Sequence, residues 1–495
     1  MTTTDAVPAA EVAPSIAPGW ELVVGLEVHA ELATATKMFS SAPNGFAAEP
    51  NTNIDPTSLG LPGSLPVVNG RAVELAVRVG LALGCEVRSS IFARKNYFYP
   101  DMPKDYQISQ YDRPINEGGR LELPGGKVIG VTRAHLEEDT GKNSHMGGDG
   151  RITGADYSLI DYNRAGVPLL EIVSEPDIST VEEARQYVEE LRAILVAIGA
   201  SDGKMEEGSL RVDANVSVRR PGEPLGTRCE IKNVNSLRSL GRAIEYEASR
   251  QIDLLTAGER VRQETRHWDE TGGRTRTGRV KEDAEDYRYF AEPDLVPLDP
   301  DPAWIAGIRE AMPLLPRQRR ERLASAAGVE PSLGAVAVAV TRGLDELALA
   351  AIEAGADGRR TLTHVEHNLA VDGAAQLAPS RFAELLAMEQ SGALTSTQAR
   401  EVLGAMVDAA LGGRDGDPAA IAEARGFRAM DGDELAGQLD ALIAAHPDEW
   451  GRFCGGDPKE RGKLTGFFVG QVMKATRGQA DGKVVTKLLI ERAGG

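Results

Sequence analysis

The stretch ELVVGLEVHAEL, from Glu21 to Leu32, alternates apolar and polar positions. Leu22, Val24, Leu26, Val28 and Leu32 face one way, while Glu27, His29 and Glu31 share the other face. That two-residue period is the mark of a half-buried strand. SLRVDANVSVR, from Ser209 to Arg219, repeats it: Leu210, Val212, Ala214, Val216 and Val218 oppose Arg211, Asp213, Asn215 and Ser217. A strand that is apolar on one side only belongs to an antiparallel sheet with one wet face, since parallel sheets are covered on both. One helix stands out between the two strands. Thr180 and Glu183 form a capping box, Ala184, Tyr187, Val188, Leu191, Ile194, Leu195 and Ile198 follow at helical spacing, and Gly199 closes it. Strands and helices mix without a regular βαβ alternation, so the expected fold class is α+β.

Working outward, the chain of 495 residues is too long for one core and predicts several domains. Residues 1–18, rich in Ala, Pro and Thr, read as an N-terminal tail without fixed structure. Residues 19–300 carry the strand signals and form a mixed or antiparallel sheet domain. After the proline-marked stretch from Pro293 to Pro302 the sequence becomes Ala-rich with helical spacing, predicting a helical domain over 301–412. The loop GGRDGD, residues 412–417, then separates a small helical tail domain over 418–495.

Hydrophobic content of 42% and charged content of 26% are those of a globular protein, and no apolar run approaches the ~18 residues of a membrane span. The first basic residue is Lys37, which argues against an ordinary signal or transit peptide. Cys85, Cys229 and Cys454 lie far apart and form no CxxC pair, which points to a reducing compartment, the cytoplasm. The net charge is −19, yet from Lys459 onward eight basic residues face three acidic ones. A basic terminus on an acidic body fits either a local RNA contact or a solvated amphipathic helix.

Several residues could carry chemistry. Glu27 and His29 project side by side, as half of a divalent-cation site or as a polar row facing water. Glu137, Glu138 and Asp139 in HLEEDTGK, Glu171 in PLLEIVSEPD and Asp213 in RVDANV are further acidic candidates. Glu171 is set among Leu169, Leu170, Ile172 and Val173, where a buried carboxylate is costly unless paired or ligated. The segment from Arg94 to Tyr111 gathers five of the chain's 24 aromatic residues among Arg94, Lys95 and Lys104. Aromatic faces there could stack on a base while the cations hold phosphates, or they could form a structural corner. A second polar and aromatic cluster runs from Lys281 to Leu298 and could line a cleft. The sequence has no glycine-rich phosphate loop ending in Gly-Lys-Ser/Thr, no paired protein-kinase motifs, no dinucleotide fingerprint and no HExxH. It also has no recognisable glutaminase nucleophile.

Taken together, VGLEVHAEL, LGLPGSLPVVN, RKNYFYPDMPKDYQISQYDRPI, HLEEDTGK, DYNRAGVPLLEIVSEPD, MEEGSLRVDANVSVR, GTRCEIKNVNSLRS, ETRHWDE, EDYRYFAEPDLVPL and FFVGQVMKATRGQADGKVV resemble the B subunits of the aspartyl/glutamyl-tRNA(Asn/Gln) amidotransferases over nearly the whole chain. The resemblance implies an ATP-dependent carbon–nitrogen ligase with glutamine as amide donor. It would phosphorylate the side-chain carboxylate of Glu or Asp on misacylated tRNA and amidate it with ammonia. It implies ATP and Mg²⁺, with Mn²⁺ an alternative because a histidine is unusual around Mg²⁺. Carried over position by position, it makes Glu27, His29, Glu138 and Glu171 cation ligands, with Asp213 a weaker candidate. Glu138 and Glu171 would be the catalytic pair, and Arg94 and Lys95 would contact ATP phosphates. Many relatives hold a structural zinc with two cysteine pairs, where this chain has Ser40, Ala42, Asp55 and Ser58, so no zinc is expected and packing should hold that loop. The implied partners are an amidase-like A subunit, the glutaminase that supplies ammonia, together with a small C subunit and misacylated tRNA; no membrane is implied. Lys463, Lys474, Arg477 and Lys483 would grip tRNA phosphates. A non-catalytic RNA-binding adaptor that kept the fold is the alternative, and a metal-dependent phosphodiesterase a third reading.

Overall fold

The computed structural model describes residues 16–147, 154–278, 287–427, 432–476, 480 and 482–494. The tail expected over residues 1–18 thus falls mostly outside the described residues. The chain divides into two compact units, Met1–Leu315 and Pro316–Gly495.

The first unit is built on β1 (Glu21–Glu31), β2 (Glu86–Val87), β3 (Ala93–Asn96), β4 (Tyr106–Ser109), β5 (Asn116–Glu122), β6 (Val128–Glu138), β7 (Lys142–Met146), β8 (Tyr157–Asp161), β9 (Pro168–Ser174), β10 (Leu210–Arg219), β11 (Cys229–Val234), β12 (Thr265–Asp269), β13 (Arg274–Thr277) and β14 (Phe290–Ala291). Twelve of these strands make one sheet in the order β13-β12-β11-β10-β1-β9-β6-β4-β3-β14, with β5 also on β6 and β2 on β5. Among the described residues its pairs are antiparallel except β11 with β12. The remaining two, β7 and β8, form a separate hairpin-like pair. This is the α+β class expected from one-sided alternation.

The alternation decides which face is core. On β1, Leu22, Val24, Leu26, Val28 and Ala30 are buried while Glu27, His29 and Glu31 are half-buried. On β10 the apolar row from Leu210 to Val218 is buried in register with it. Three helices cover this apolar side: α1 (Gly70–Ala82), α2 (Val181–Ala197) and α3 (Leu237–Thr256) share one cluster with the strand residues. The capping box of α2 forms as expected: the Thr180 hydroxyl accepts from the Glu183 amide, and the Glu183 carboxylate accepts from the Thr180 amide. Gly199 follows at φ +67°, a conformation that relieves the helix end at little cost only for glycine.

The first unit extends past residue 300. Its fourth helix, α4 (Pro302–Glu310), lies against α1 and buries Ile308 in the same core, so the Pro-rich stretch does not end the domain. The second unit is helical. α5 (Pro316–Ala327), α6 (Gly334–Thr341), α7 (Asp345–Glu353), α8 (Gly358–His367), α9 (Pro379–Gln390), α10 (Ser396–Leu411) and α11 (Pro418–Ala424) surround Leu323, Val336, Phe382, Leu403 and Met406. α11 contributes Ala422 to this core, so the break expected at 412–417 lies inside it. A separate cluster of Leu439, Phe453, Phe468, Val472 and Leu489 joins α12 (Gly432–Ala445), α13 (Pro447–Gly455), α14 (Pro458–Ala475) and α15 (Gly482–Arg492). Among the described residues no helix is long and apolar enough to cross a membrane.

Candidate active site

Because β1, β9 and β6 are neighbours, polar residues from three distant segments meet on the half-buried face. The register sets His29 opposite Glu171, and Glu171 opposite His135 on the next strand. His29 Nε2 lies 3.3 Å from Glu171 Oε2 and 3.9 Å from Glu137 Oε1. His29, Glu137 and Glu171 can present ligand atoms all within 4.8 Å of one another. Arg133 Nη2 sits 3.4 Å from Glu171 Oε1.

Glu138, expected in this cluster, is elsewhere. It follows Glu137 on β6, so its side chain leaves from the core face with Leu136. There its Oε1 meets Lys104 Nζ at 2.5 Å and accepts from the Ile108 amide at 3.0 Å. Glu137 stands where Glu138 was expected, and strand parity was the available signal: buried Leu136 fixes which neighbour faces the polar side. Glu27 and Asp213 form a second cluster with Glu230, again with ligand atoms within 4.8 Å of one another. An internal cation already serves it, since Lys232 Nζ lies 2.6 Å from Asp213 Oδ2 and 3.1 Å from Glu230 Oε1. Asn215 donates to Glu27 Oε1 at 2.8 Å.

Burial and mutual charge set the protonation of these groups. Burial alone would lower the His29 imidazole, but its hydrogen bond to Glu171 and the charges of Glu171, Glu137 and Asp213 raise it to about 9. Glu171 is held well below the usual carboxylate range: burial opposes this, and His29 and Arg133, with His135 once acid protonates its ring, override it. Glu137 is pushed up to about 7 by burial and by the charge of Glu171. His135, fully buried, is lowered to about 4 mainly by desolvation and is therefore neutral at pH 7. Burial, then Glu171 and Glu230, raise Glu27.

The donor set suits a divalent cation. An imidazole and two carboxylates converge, and both ring nitrogens of buried His135 lack a hydrogen-bond partner among the described residues. Such an orphaned polar group is costly unless it has a further role.

Arg94 is committed to Glu292, in two bonds of 2.6 and 2.7 Å, and lies 4.1 Å from the centroid of the Tyr106 ring. This pairing replaces the expected phosphate contact with a structural one that fastens β3 beside β14. Lys95 faces the site: its charge acts on Glu137 and His135, and its ammonium lies 4.6 Å above the Tyr287 ring. The two aromatic segments meet, as Tyr111 and Tyr289 stack at 5.4 Å. Arg133 lies 4.8 Å over the Tyr111 ring, and His135 meets that ring edge-on. Spacing alone gave no sign of Arg133, His135, Glu230 or Lys232, because their value comes from strand order.

The loop carrying Ser40, Ala42, Asp55 and Ser58 is held by hydrogen bonds rather than by packing alone. Asp55 Oδ1 accepts from the Ser58 amide and hydroxyl at 2.7 and 2.8 Å, and the Asn51 and Asn53 amides donate to Asp161 and Asn163. Lys463 and Lys474 are exposed on α14, three turns apart on one side. Arg477 lies outside the described residues, as does the side chain of Lys483.

Residues 22–306 match the family described as the GatB/GatE catalytic domain, and residues 362–492 match the GatB domain. The aspartyl/glutamyl-tRNA(Asn/Gln) amidotransferase B subunit of Kineococcus radiotolerans is 48% identical over 95% of this chain and 97% of its own length. The protein of the same name from Salinispora arenicola is 48% identical over 100% of this chain and 99% of its own, and that from Thermosynechococcus vestitus 45% over 96% of each. A converging imidazole–carboxylate site on a one-sided sheet, joined to matches that span the chain, shows that this protein belongs to the family of aspartyl/glutamyl-tRNA(Asn/Gln) amidotransferase B subunits.

Proposed function

We propose that this chain activates the side-chain carboxylate of glutamate or aspartate esterified to tRNA(Gln) or tRNA(Asn), using ATP, and converts it to the amide with ammonia supplied by a glutaminase partner. The observation that carries this reading is the meeting of His29, Glu137 and Glu171 from three adjacent strands, beside Lys95 and Arg133. A carboxylate is a poor acylating agent, and transferring phosphate to it supplies a leaving group that ammonia can displace.

Each group then has a task. His29, Glu137 and Glu171 would hold Mg²⁺ or Mn²⁺, which when bound offsets charge on phosphate oxygens. Arg133 keeps Glu171 ionised and oriented. Lys95, rather than Arg94, is the cation suited to a phosphate. Lys232 balances Glu27, Asp213 and Glu230, which limits repulsion along the same polar face. The Tyr111–Tyr289 stack walls the site with aromatic surface and can exclude water from an activated acyl group. Lys463 and Lys474, with Arg477 and Lys483, would contact tRNA phosphates, which position a nucleic acid without reading its sequence.

The partners on this reading are an amidase-like A subunit, a small C subunit and misacylated tRNA, in the cytoplasm. Which of the two tRNAs is used depends on the synthetases of the cell. A non-catalytic adaptor has less support, because carboxylates crowded at a buried site cost stability that RNA docking alone does not require.

The test is to assemble the chain with its partners and supply ATP, glutamine and each misacylated tRNA. Amide formation should require ATP and fall at least about 100-fold in Glu171→Gln, the scale of losing a charge-stabilising group. Turnover without ATP, or at an unchanged rate in that variant, would refute the assignment.

A further inference from the structure

We propose that Arg133 contacts the reacting oxyanion directly, be it the substrate's side-chain carboxylate or the phosphoryl group passed to it, and is thus a catalytic residue rather than a support for Glu171 alone. The inference rests on the proposed function and names a further residue of the same reaction.

Unfilled donors carry it. The Arg133 side chain is only 22% exposed, and its buried Nε has no hydrogen-bond partner among the described residues. Its ion pair with Glu171 is a single contact of Nη2 with Oε1 at 3.4 Å. Register explains the poor pairing: β9 sets Val173 opposite Arg133, so Glu171 is reached only on the diagonal. Other partly buried arginines meet one carboxylate with two nitrogens each, Arg94 with Glu292, Arg319 with Asp345 and Arg360 with Glu389. A guanidinium carries a planar fork of N–H donors, and a buried donor without an acceptor marks a group held for something else.

The side chain is nevertheless braced. Its Cζ lies 4.8 Å from the centroid of the Tyr111 ring, and Tyr289 stacks on Tyr111 at 5.4 Å with 16° between the planes. Stacking engages the flat face of a guanidinium and leaves its N–H edge to donate. Strand parity puts Arg133 on the same side of β6 as His135 and Glu137. Glu171, the acid it touches, is itself 3.3 Å from His29, so the guanidinium borders the imidazole–carboxylate cluster.

A charged planar fork fits an oxyanion through two parallel N–H···O bonds, a geometry that carboxylate and phosphoryl groups share. In the proposed reaction a lone pair of the carboxylate oxygen forms the bond to the γ-phosphorus, and ADP leaves with the pair of the broken P–O bond. Ammonia then forms the C–N bond, phosphate leaves with the C–O pair, and one ammonia proton passes to the departing phosphate. The Arg133 N–H groups meet the negative oxygens in these steps and exchange no proton.

The test uses the full-length chain assembled with its partners. ADP formation is followed with ATP, misacylated tRNA and ammonium, and divalent-cation affinity by calorimetry. Arg133→Lys keeps a positive charge beside Glu171 and loses the fork. It should lower ADP formation at least about 100-fold while changing cation affinity less than about threefold. Added guanidinium ion should restore Arg133→Ala at least about tenfold by refilling the vacated place. A fall in kcat at constant KM for misacylated tRNA assigns the contact to the phosphoryl group, and a risen KM assigns it to the substrate carboxylate. Should Arg133→Ala misfold, Arg133→Lys and Arg133→Gln carry the rate comparison. A rate within about threefold of wild type in Arg133→Lys overturns the proposal. So does a loss matched by an equal loss of cation affinity without guanidinium rescue, the pattern of a residue acting only through Glu171. Binding of inorganic phosphate and of glutarate to the full-length chain is read separately. Wild-type binding that is lost in Arg133→Ala, in a complex that never forms amide, would sink the proposed function and leave the oxyanion contact standing. Binding of neither probe in a complex without turnover overturns both.

Discussion

Glu137 and Glu138 are adjacent in sequence and opposite in circumstance. One faces His29 and His135 across the polar side of the sheet, and the other is locked to Lys104 on the core side. Glu137→Gln should therefore weaken divalent-cation affinity by at least about tenfold, and Glu138→Gln by less than about threefold, in calorimetric titrations of the two variants. The roles reverse for stability. Glu138→Gln leaves Lys104 buried without its counter-charge and should cost about 3–5 kcal/mol in denaturant unfolding. Equal effects of the two substitutions on cation binding would mean that parity does not govern the site. Arg94 makes the same point, because a guanidinium that looks available in sequence is already committed to Glu292. Residue type narrowed the candidates, and the direction of each side chain chose among them.

Elements are held together by close fits that can be tested singly. α1 approaches β5 so closely that a Cβ on Gly80 would fall 1.9 Å from Asn116 Oδ1. Asn116 is not free to move, since its amide donates to the carbonyls of Ala76 and Ala134 and so ties α1 to β6. Gly80→Ala should destabilise the protein by about 2–4 kcal/mol in urea unfolding, through overpacking and a lost buried hydrogen bond. In the second unit α8 is clamped to α9, where Glu389 accepts from Arg360 and lies 2.9 Å from His364 Nε2. Burial opposes ionisation, yet those partners hold the Glu389 carboxyl at about 2. A carboxylate depressed in the folded state binds fewer protons there than in the unfolded chain. Its contribution is thus complete above about pH 4.5 and is lost as pH falls toward 2. Given partial solvent access it is on the order of 1–3 kcal/mol. Melting curves from about pH 6 to about pH 2 should show a shallower acid decline in Glu389→Gln than in the wild type.

At the scale of the molecule, an acidic chain of net charge −19 would have to meet the tRNA of the proposed function through a local surface. On the proposed function, Lys463 and Lys474, exposed on one side of α14, would supply part of it. Replacing both with Ala should reduce the slope of log affinity for tRNA against log salt by about two, with equal loss for cognate and non-cognate tRNA. An unchanged slope would show that tRNA contacts another surface. Sequence by itself determined the one-sided sheet, the capped helix α2, the helical second half and the family, because period-two and period-3.6 patterns, capping chemistry and long motifs are local properties of the chain. It also singled out His29 and Glu171, since a carboxylate amid apolar neighbours reads as unusual without coordinates. Only the tertiary structure decided that Glu137 joins them, that Glu27 and Asp213 answer to Lys232, that α4 belongs to the first core and that His135 lies beside the cluster with no hydrogen-bond partner among the described residues. The reason is physical: strand order and register bring together residues that are far apart along the chain, and no periodicity within one strand records which strand lies next to it.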